Sequence, residues 1–292
     1  MEFEIRSLKK DTISFFLNQT DVSIANAMRR ILIAEIPTLA IESVRISENN
    51  TMYNDEYIAH RLGLIPLAVS PEEFVFANDC TCIGAGCEQC SILLSLDVDC
   101  NAHGRCTVTT DHLQLQRSKP VDLVGPLDFQ IPIVELKRGQ SLHLTALAVK
   151  GLPSVHAKWG ATTAVAYKIE PRISINPEIE RTLSEKDRQR VVDCCPAGVF
   201  GLATEQPKLQ DLEDLGILTV SNHWNCTMCR KCIDVAATEL KVSNLLSIDG
   251  SHCDDETNYQ FTVETNGALS SKEVMNLAFS SLKQKLQMWL YE

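Results

Sequence analysis

At 292 residues the chain exceeds what one hydrophobic core usually organises, so two or three domains are expected. A hydrophobic content of 45% excludes pervasive disorder, and no run approaches the roughly 18 uncharged apolar residues that a membrane-spanning helix needs. The formal charge of −11 argues against direct wrapping of nucleic acid, because that affinity comes largely from Lys and Arg releasing counterions. The charged start (Met1-Glu2-Phe3-Glu4-Ile5-Arg6) lacks the apolar run of an export signal, so a soluble, non-secreted protein is expected. Its twelve cysteines are then better read as reduced thiols and metal ligands than as a disulfide framework.

Alternation through Phe3 and Ile5, then Ile13, Phe15 and Leu17, predicts two strands broken by a turn at Lys9-Lys10-Asp11. Thr20 or Asp21 can cap a helix with Ile24, Ala27, Met28, Ile31 and Leu32 on one face, ending before Pro37. Residues 39–46 read as a strand, and Asn54 opens a short helix through Leu62 to Gly63. After a cysteine-rich insert come a strand at 91–98 and a hairpin at 131–149 that turns at Arg138-Gly139. A strand at 161–169 precedes a boundary at Pro171 and Pro177, and Ser184 to Val192 is helix-like. The end reads as a strand at 259–264, a turn at Asn266-Gly267 and a long helix over 271–291. That helix carries a stripe of Val274, Ala278, Leu282 and Leu286, with Met275, Phe279 and Trp289 beside it and Ser270 and Glu273 as a capping box. Such wide apolar arcs on the first and last helices fit either an internal core or a subunit interface.

Eight cysteines fall into two groups of different spacing. Cys80, Cys82, Cys87 and Cys90 place four thiols in eleven residues around Ile83-Gly84-Ala85-Gly86, where the glycines supply positive-φ turns. Four soft ligands this close suit a tetrahedral Zn2+, and with every position filled by thiolate the site is structural rather than catalytic. Cys226, Cys229 and Cys232 form a C-x2-C-x2-C run, and Cys195, followed by Pro196, supplies a fourth thiolate. That arrangement is what one [4Fe–4S] cube needs, and only one, since no Cys-Pro follows Cys232; a second zinc is the competing reading. Cys194 reads as a decoy ligand or redox partner, and Cys100, Cys106 and Cys253 as small buried hydrophobes. The scattered histidines His60, His103, His112, His143, His156, His223 and His252 read as structural, and the chain holds no P-loop, G-x-S-x-G or paired-carboxylate motif.

Three segments carry a resemblance. Residues 18–32 (NQTDVSIANAMRRIL), 35–44 (EIPTLAIESV) and 55–67 (DEYIAHRLGLIPL) closely resemble the assembly subunit of multisubunit DNA-dependent RNA polymerases. That family comprises the bacterial α-subunit amino-terminal domain, its archaeal counterpart and the eukaryotic third-largest subunit. His156-Ala157-Lys158-Trp159 and the closing strand and helix (259–290) are similar to it as well. The resemblance implies an α+β fold: a split α-like dimerisation domain (1–46, 155–170 and 255–292), an inserted mainly-β domain (47–154) and a third domain (171–254). The Cys80–Cys90 loop is similar to the zinc loop of the RNA polymerase II third subunit, with a central spacer one residue longer. Residues 171–254 look like the ferredoxin-like iron–sulfur domain found in some of the archaeal members.

The family further implies a non-catalytic subunit that heterodimerises with a smaller α-like subunit and receives the two large catalytic subunits and small assembly subunits. Direct nucleic-acid or membrane contact is not expected, and the location implied is the nucleus, or the cytoplasm if the chain is archaeal. Arg29 and Arg30 are expected at a protein surface, since two adjacent arginines cannot both enter a core. From the cysteines alone, a ferredoxin-like electron carrier or redox sensor is the alternative, although such a carrier requires neither the last helix nor Arg29-Arg30. A zinc-dependent nucleic-acid binder conflicts with the charge.

Overall fold

The computed structural model describes residues 2–82, 86–101, 104–116, 130–203, 217–250 and 257–291. In chain order they form β1 (Glu2–Leu8), β2 (Thr12–Thr20), α1 (Val22–Ala34), β3 (Thr38–Asn49), α2 (Asp55–Gly63), β4 (Ser91–Asp99), β5 (Arg105–Thr109), β6 (Leu113–Leu115), β7 (Pro132–Lys137) and β8 (Ser141–Gly151). There follow β9 (Thr162–Ile169), β10 (Arg172–Ile175), α3 (Pro177–Glu180), α4 (Glu185–Asp193), β11 (Phe200–Ala203), β12 (Ile217–Val220), α5 (Lys231–Thr238), β13 (Leu246–Asp249), β14 (Thr257–Thr265) and α6 (Ser271–Tyr291). Two four-stranded sheets, ordered β1-β2-β14-β9 and β3-β8-β4-β6, and three two-stranded ones among the described residues make this a mixed α+β protein, as the resemblance implies. The chain forms two compact units: Met1–Phe3, Phe16–Val22 and Lys168–Gln260 make one, and Glu4–Phe15, Ser23–Tyr167 and Phe261–Glu292 the larger.

In the larger unit, one core gathers under the β3-β8-β4-β6 sheet, where Leu142, Leu144, Ala146 and Ala148 alternate inward from β8 against Leu94, Leu96, Ile58 and Leu62. The turn at Arg138-Gly139 forms, with Gly139 at φ +79, but it does not join a hairpin. β7 pairs with β5, whereas β8 pairs with β3 and β4. The reason lies in the turn itself: the Gly139 N–H donates to Cys100 O at 2.8 Å and the Cys100 N–H to Gln140 O at 2.9 Å. Cys100, just past β4, is thereby held at the turn between the two arms, and β4 pairs with β8 while β5 pairs with β7.

Two helices of this unit depart from their expected faces. In α1 the buried residues are Ala25, Met28, Ile31 and Leu32, while Ile24 is exposed and Ala27 only half-buried. At the helix's far end Leu32 O accepts from Thr162 Oγ1 at 2.9 Å, and Glu35 just beyond it pairs with Lys285 of α6 at 2.6 Å. α6 begins with the expected capping box: the Ser270 N–H donates to Glu273 Oε2 at 2.8 Å and the Glu273 N–H to Ser270 Oγ at 3.3 Å. Its first half is buried through Val274, Met275, Leu277 and Ala278, but Leu286, Met288 and Leu290 are exposed, so the apolar stripe is covered for only half its length. The Trp289 side chain lies outside the described residues.

The smaller unit is built from two antiparallel strand pairs, β10–β13 and β11–β12, with α4 and α5 closing a core of Leu183, Val191, Val199, Phe200, Leu218, Ala236, Leu246 and Ile248. Ser184 caps α4 by accepting the Asp187 N–H at 3.3 Å. Inside sits an ion pair that patterning did not reveal, Arg188 Nε to Glu180 Oε1 at 2.8 Å, with both side chains almost fully buried.

Candidate metal centres and exposed helix face

The first cysteine set is brought together by local structure. A 3-10 turn at Ala77–Asp79 delivers Cys80, and Cys90 leads straight into β4. Between them the Cys90 and Ser91 N–H groups both donate to Cys87 O, at 3.2 and 2.9 Å. Gly86 has φ +78, and a Cβ there would press on Leu147 and Ser91 Oγ at 3.2 Å, so the loop lies close on the sheet. Gly84 and its neighbours Ile83 and Ala85 lie outside the described residues.

The four Sγ atoms all lie within 4.8 Å of one another, with Cys80–Cys87 at 3.3 Å, Cys82–Cys90 at 3.4 Å and Cys87–Cys90 at 3.7 Å. A tetrahedron with Zn–S bonds of about 2.3 Å has edges of about 3.8 Å, so the quartet fits a single ion such as zinc. Hydrogen bonds from Cys90 and then Cys80 hold the Cys82 thiol down to about 6, which readies a thiolate for metal. No other group of three or more metal-ligand atoms among the described residues is gathered this closely.

The second set is arranged differently. Cys195, Cys226, Cys229 and Cys232 line one small cavity of about 20 Å³ with Pro196, Val199, Phe200 and Ile248. Their sulfurs are not gathered as closely as those of the first set. α4 hands the chain to Cys195, and α5 begins at Lys231, so Cys232 sits in its first turn. Met228 and Arg230 adopt left-handed φ values of +54 and +59, a conformation costly for residues with a Cβ. It turns N–H groups toward sulfur: Met228 N–H donates to Cys226 Sγ at 3.4 Å, and the Lys231 N–H holds Cys229 below the usual thiol range. Burial pushes Cys232 up to about 11.

Cys194 Sγ donates to Val191 O at 3.1 Å and does not line the cavity, although its thiol interacts electrostatically with Cys195, Cys229 and Cys232. Cys100 is buried and Cys106 half-buried, while Cys253, His103 and His252 lie outside the described residues. The histidines His112, His143, His156 and His223 are held by hydrogen bonds or ion pairs. Arg29 folds back on Asn26 Oδ1, at 2.9 Å from Nη2, and Arg30 is exposed on α1. Near them stand the exposed Val22, Ile24 and Ile33 of the same helix. Among the described residues, no helix is long and apolar enough to cross a membrane.

The family description "RNA polymerase Rpb3/Rpb11 dimerisation domain" matches residues 14–286. The DNA-directed RNA polymerase II subunit rpb3 of Dictyostelium discoideum is 34% identical, the match covering 98% of this chain and 92% of that protein. The DNA-directed RNA polymerases II, IV and V subunit 3 of Arabidopsis thaliana is 37% identical over 98% of this chain and 89% of its own length. An archaeal relative, the DNA-directed RNA polymerase subunit Rpo3 of Methanosphaera stadtmanae, is 34% identical over 98% and 96%.

Proposed function

The chain belongs to the RNA polymerase Rpb3/Rpb11 dimerisation-domain family, and on that premise we propose the partners and metals with which it works. It is a non-catalytic assembly subunit of DNA-dependent RNA polymerase. The three relatives named above are polymerase subunits and match along nearly their whole length, which leaves the ferredoxin-like electron carrier without support. The partner is a smaller α-like subunit, and the heterodimer is the platform for the large catalytic subunits and the small assembly subunits.

One observation carries the dimer reading: the outer half of α6 leaves Leu286 at 57% and Leu290 at 81% exposure, four positions apart and so on one side of the helix, in line with a face made to be covered by another chain. α1 adds exposed Val22, Ile24 and Ile33, and Arg29 and Arg30 then belong to a protein surface rather than to nucleic acid. Residues 1–46, 155–170 and 255–292 form the dimerisation domain in this reading, and residues 47–154 the inserted domain.

The first cysteine set, Cys80, Cys82, Cys87 and Cys90, holds one structural zinc. The second, Cys195, Cys226, Cys229 and Cys232, holds one [4Fe–4S] cluster in a ferredoxin-like domain over 171–254. The C-x2-C-x2-C run with Cys195-Pro196, and the fact that all four cysteines line one cavity, support a cluster over a second zinc. When bound, the cluster cross-links α4, the 226–232 loop and α5. The location is the nucleus, or the cytoplasm of an archaeon.

Leu286→Glu with Leu290→Glu, coexpressed with the smaller α-like subunit of the same organism, tests the dimer. Both positions are exposed, so the fold persists while copurification is lost; an undiminished yield of heterodimer would remove α6 from the interface.

A further inference from the structure

A chain of hydrogen bonds in the smaller unit is explained by neither cysteine set. His223 Nε2 lies 2.8 Å from Glu170 Oε1, and the other oxygen of Glu170 accepts from Asn258 Nδ2 at 2.7 Å. Asn258 Oδ1 accepts the backbone N–H of Gln19 at 3.0 Å, where Gln19 takes a left-handed φ of +52. Beside this line, the Trp224 ring packs on Phe16 with centroids 4.9 Å apart, and Trp224 O accepts from Lys168 Nζ. His223 and Trp224 form the 3-10 turn that ends at Cys226, whose N–H donates to His223 O at 3.0 Å. The three-cysteine loop therefore starts from a turn clamped by the ends of β2, β9 and β14.

We infer that Glu170 is a positioning residue that holds the Cys226–Cys232 loop and the ends of β2 and β14 as one unit, so that loading the cavity and ordering those strand ends reinforce each other. The inference rests on reading the cavity as an iron–sulfur site. A half-buried carboxylate accepting from two segments, 53 and 88 positions away in sequence, makes charge-assisted bonds that are stronger than neutral ones. A group that binds only the ordered loop must stabilise whatever that order requires, and the effect is reciprocal. Cavity, turn and strand ends are then one element with one stability.

The test uses the full chain with its smaller partner subunit, reconstituted anaerobically with ferrous iron and sulfide, as wild type, Glu170→Ala and Glu170→Gln. Iron content, the rate at which a chelator bleaches the visible absorbance, and hydrogen exchange of residues 16–20 and 257–260 before and after loading are read together. Zinc at the Cys80 set reports whether the rest of the chain is intact. Loading the wild type raises amide protection at those strand ends by about tenfold, the scale of one hydrogen bond to a charged group. Glu170→Ala bleaches about tenfold faster and loses that gain with zinc unchanged, and Glu170→Gln, which keeps one acceptor, falls between. Should Glu170→Ala also lose zinc, Glu170→Gln decides alone. A variant that bleaches at the wild-type rate and keeps the gain overturns the coupling and leaves the cluster reading intact; a wild type that takes up no iron rejects the cluster reading and the inference with it.

Discussion

Replacing Arg188 by Met would remove a guanidinium from the interior of the smaller unit. Arg188 Nη2 donates to Glu180 O at 3.1 Å, and its Nε lies 2.8 Å from Glu180 Oε1. That Nε is near its partner yet off the hydrogen-bonding angle, and Nη1 is buried with no hydrogen-bond partner, so the pair is held more by charge than by ideal geometry. Glu180 Oε1 also accepts the Leu218 N–H at 3.1 Å, which ties α3 and α4 to β12. Removing one member of a buried pair leaves an uncompensated charge and costs about 3–5 kcal/mol. Set against a typical total of about 5–15 kcal/mol, that is enough to leave α4 largely unfolded at ambient temperature in a unit of modest stability.

Because α4 leads directly to Cys195, Arg188→Met should also cost the cavity the iron–sulfur cluster proposed for it. Glu180→Gln combined with Arg188→Met keeps an acceptor for Leu218 while removing both charges, and should recover most of the loss. Hydrogen exchange across residues 177–203, with iron content, is the assay. A single variant within about 1 kcal/mol of wild type, or a double variant as unstable as the single, would refute the reasoning.

Cys87→Ser should remove one equivalent of zinc by metal analysis and loosen residues 76–92, while heterodimer formation with the smaller subunit persists, because the quartet is anchored locally between a 3-10 turn and β4. Gly151→Ala should destabilise the larger unit by about 1–3 kcal/mol, seen as a lower Tm, because the new Cβ would fall inside the Trp159 ring, which is fixed by its Nε1 bond to Val149 O at 3.1 Å. His143 is held above the usual histidine range by Asp97 and then Asp99, so its contribution is full below the unfolded value of about 6.5 and fades as pH rises through the higher folded value. Its NMR titration midpoint should lie above about 6.5 and fall in Asp97→Asn; an unchanged midpoint would show that Asp97 does not set it.

What the amino-acid order determined by itself was the local chemistry. Cys80 to Cys90 meet because eleven residues leave four thiols little room to separate, and the Ser270–Glu273 box forms because it spans one helical turn. Several longer elements, among them α2, β4, β9, α4 and α6, were legible for the same reason, since side-chain period and capping act over a few positions, whereas the short strands and helices of 105–115 and most of those of 172–249 were not placed. Tertiary structure decided the rest. Whether β7 pairs with β8 or with β5 depended on Cys100 reaching the turn from about forty residues upstream, which no hairpin signal encodes. The face of α1 that is buried runs through Ala25 rather than Ile24, a choice made by what packs on the helix and not by its own period. Arg188 gave only the faint sign of sharing a helical face with Val191, and Glu170, His223 and Asn258 gave none, because a polar side chain in sequence looks alike whether water or a distant partner satisfies it. Burial makes the difference: once water is excluded each such group must find a partner wherever the fold supplies one, and that choice belongs to the packed chain.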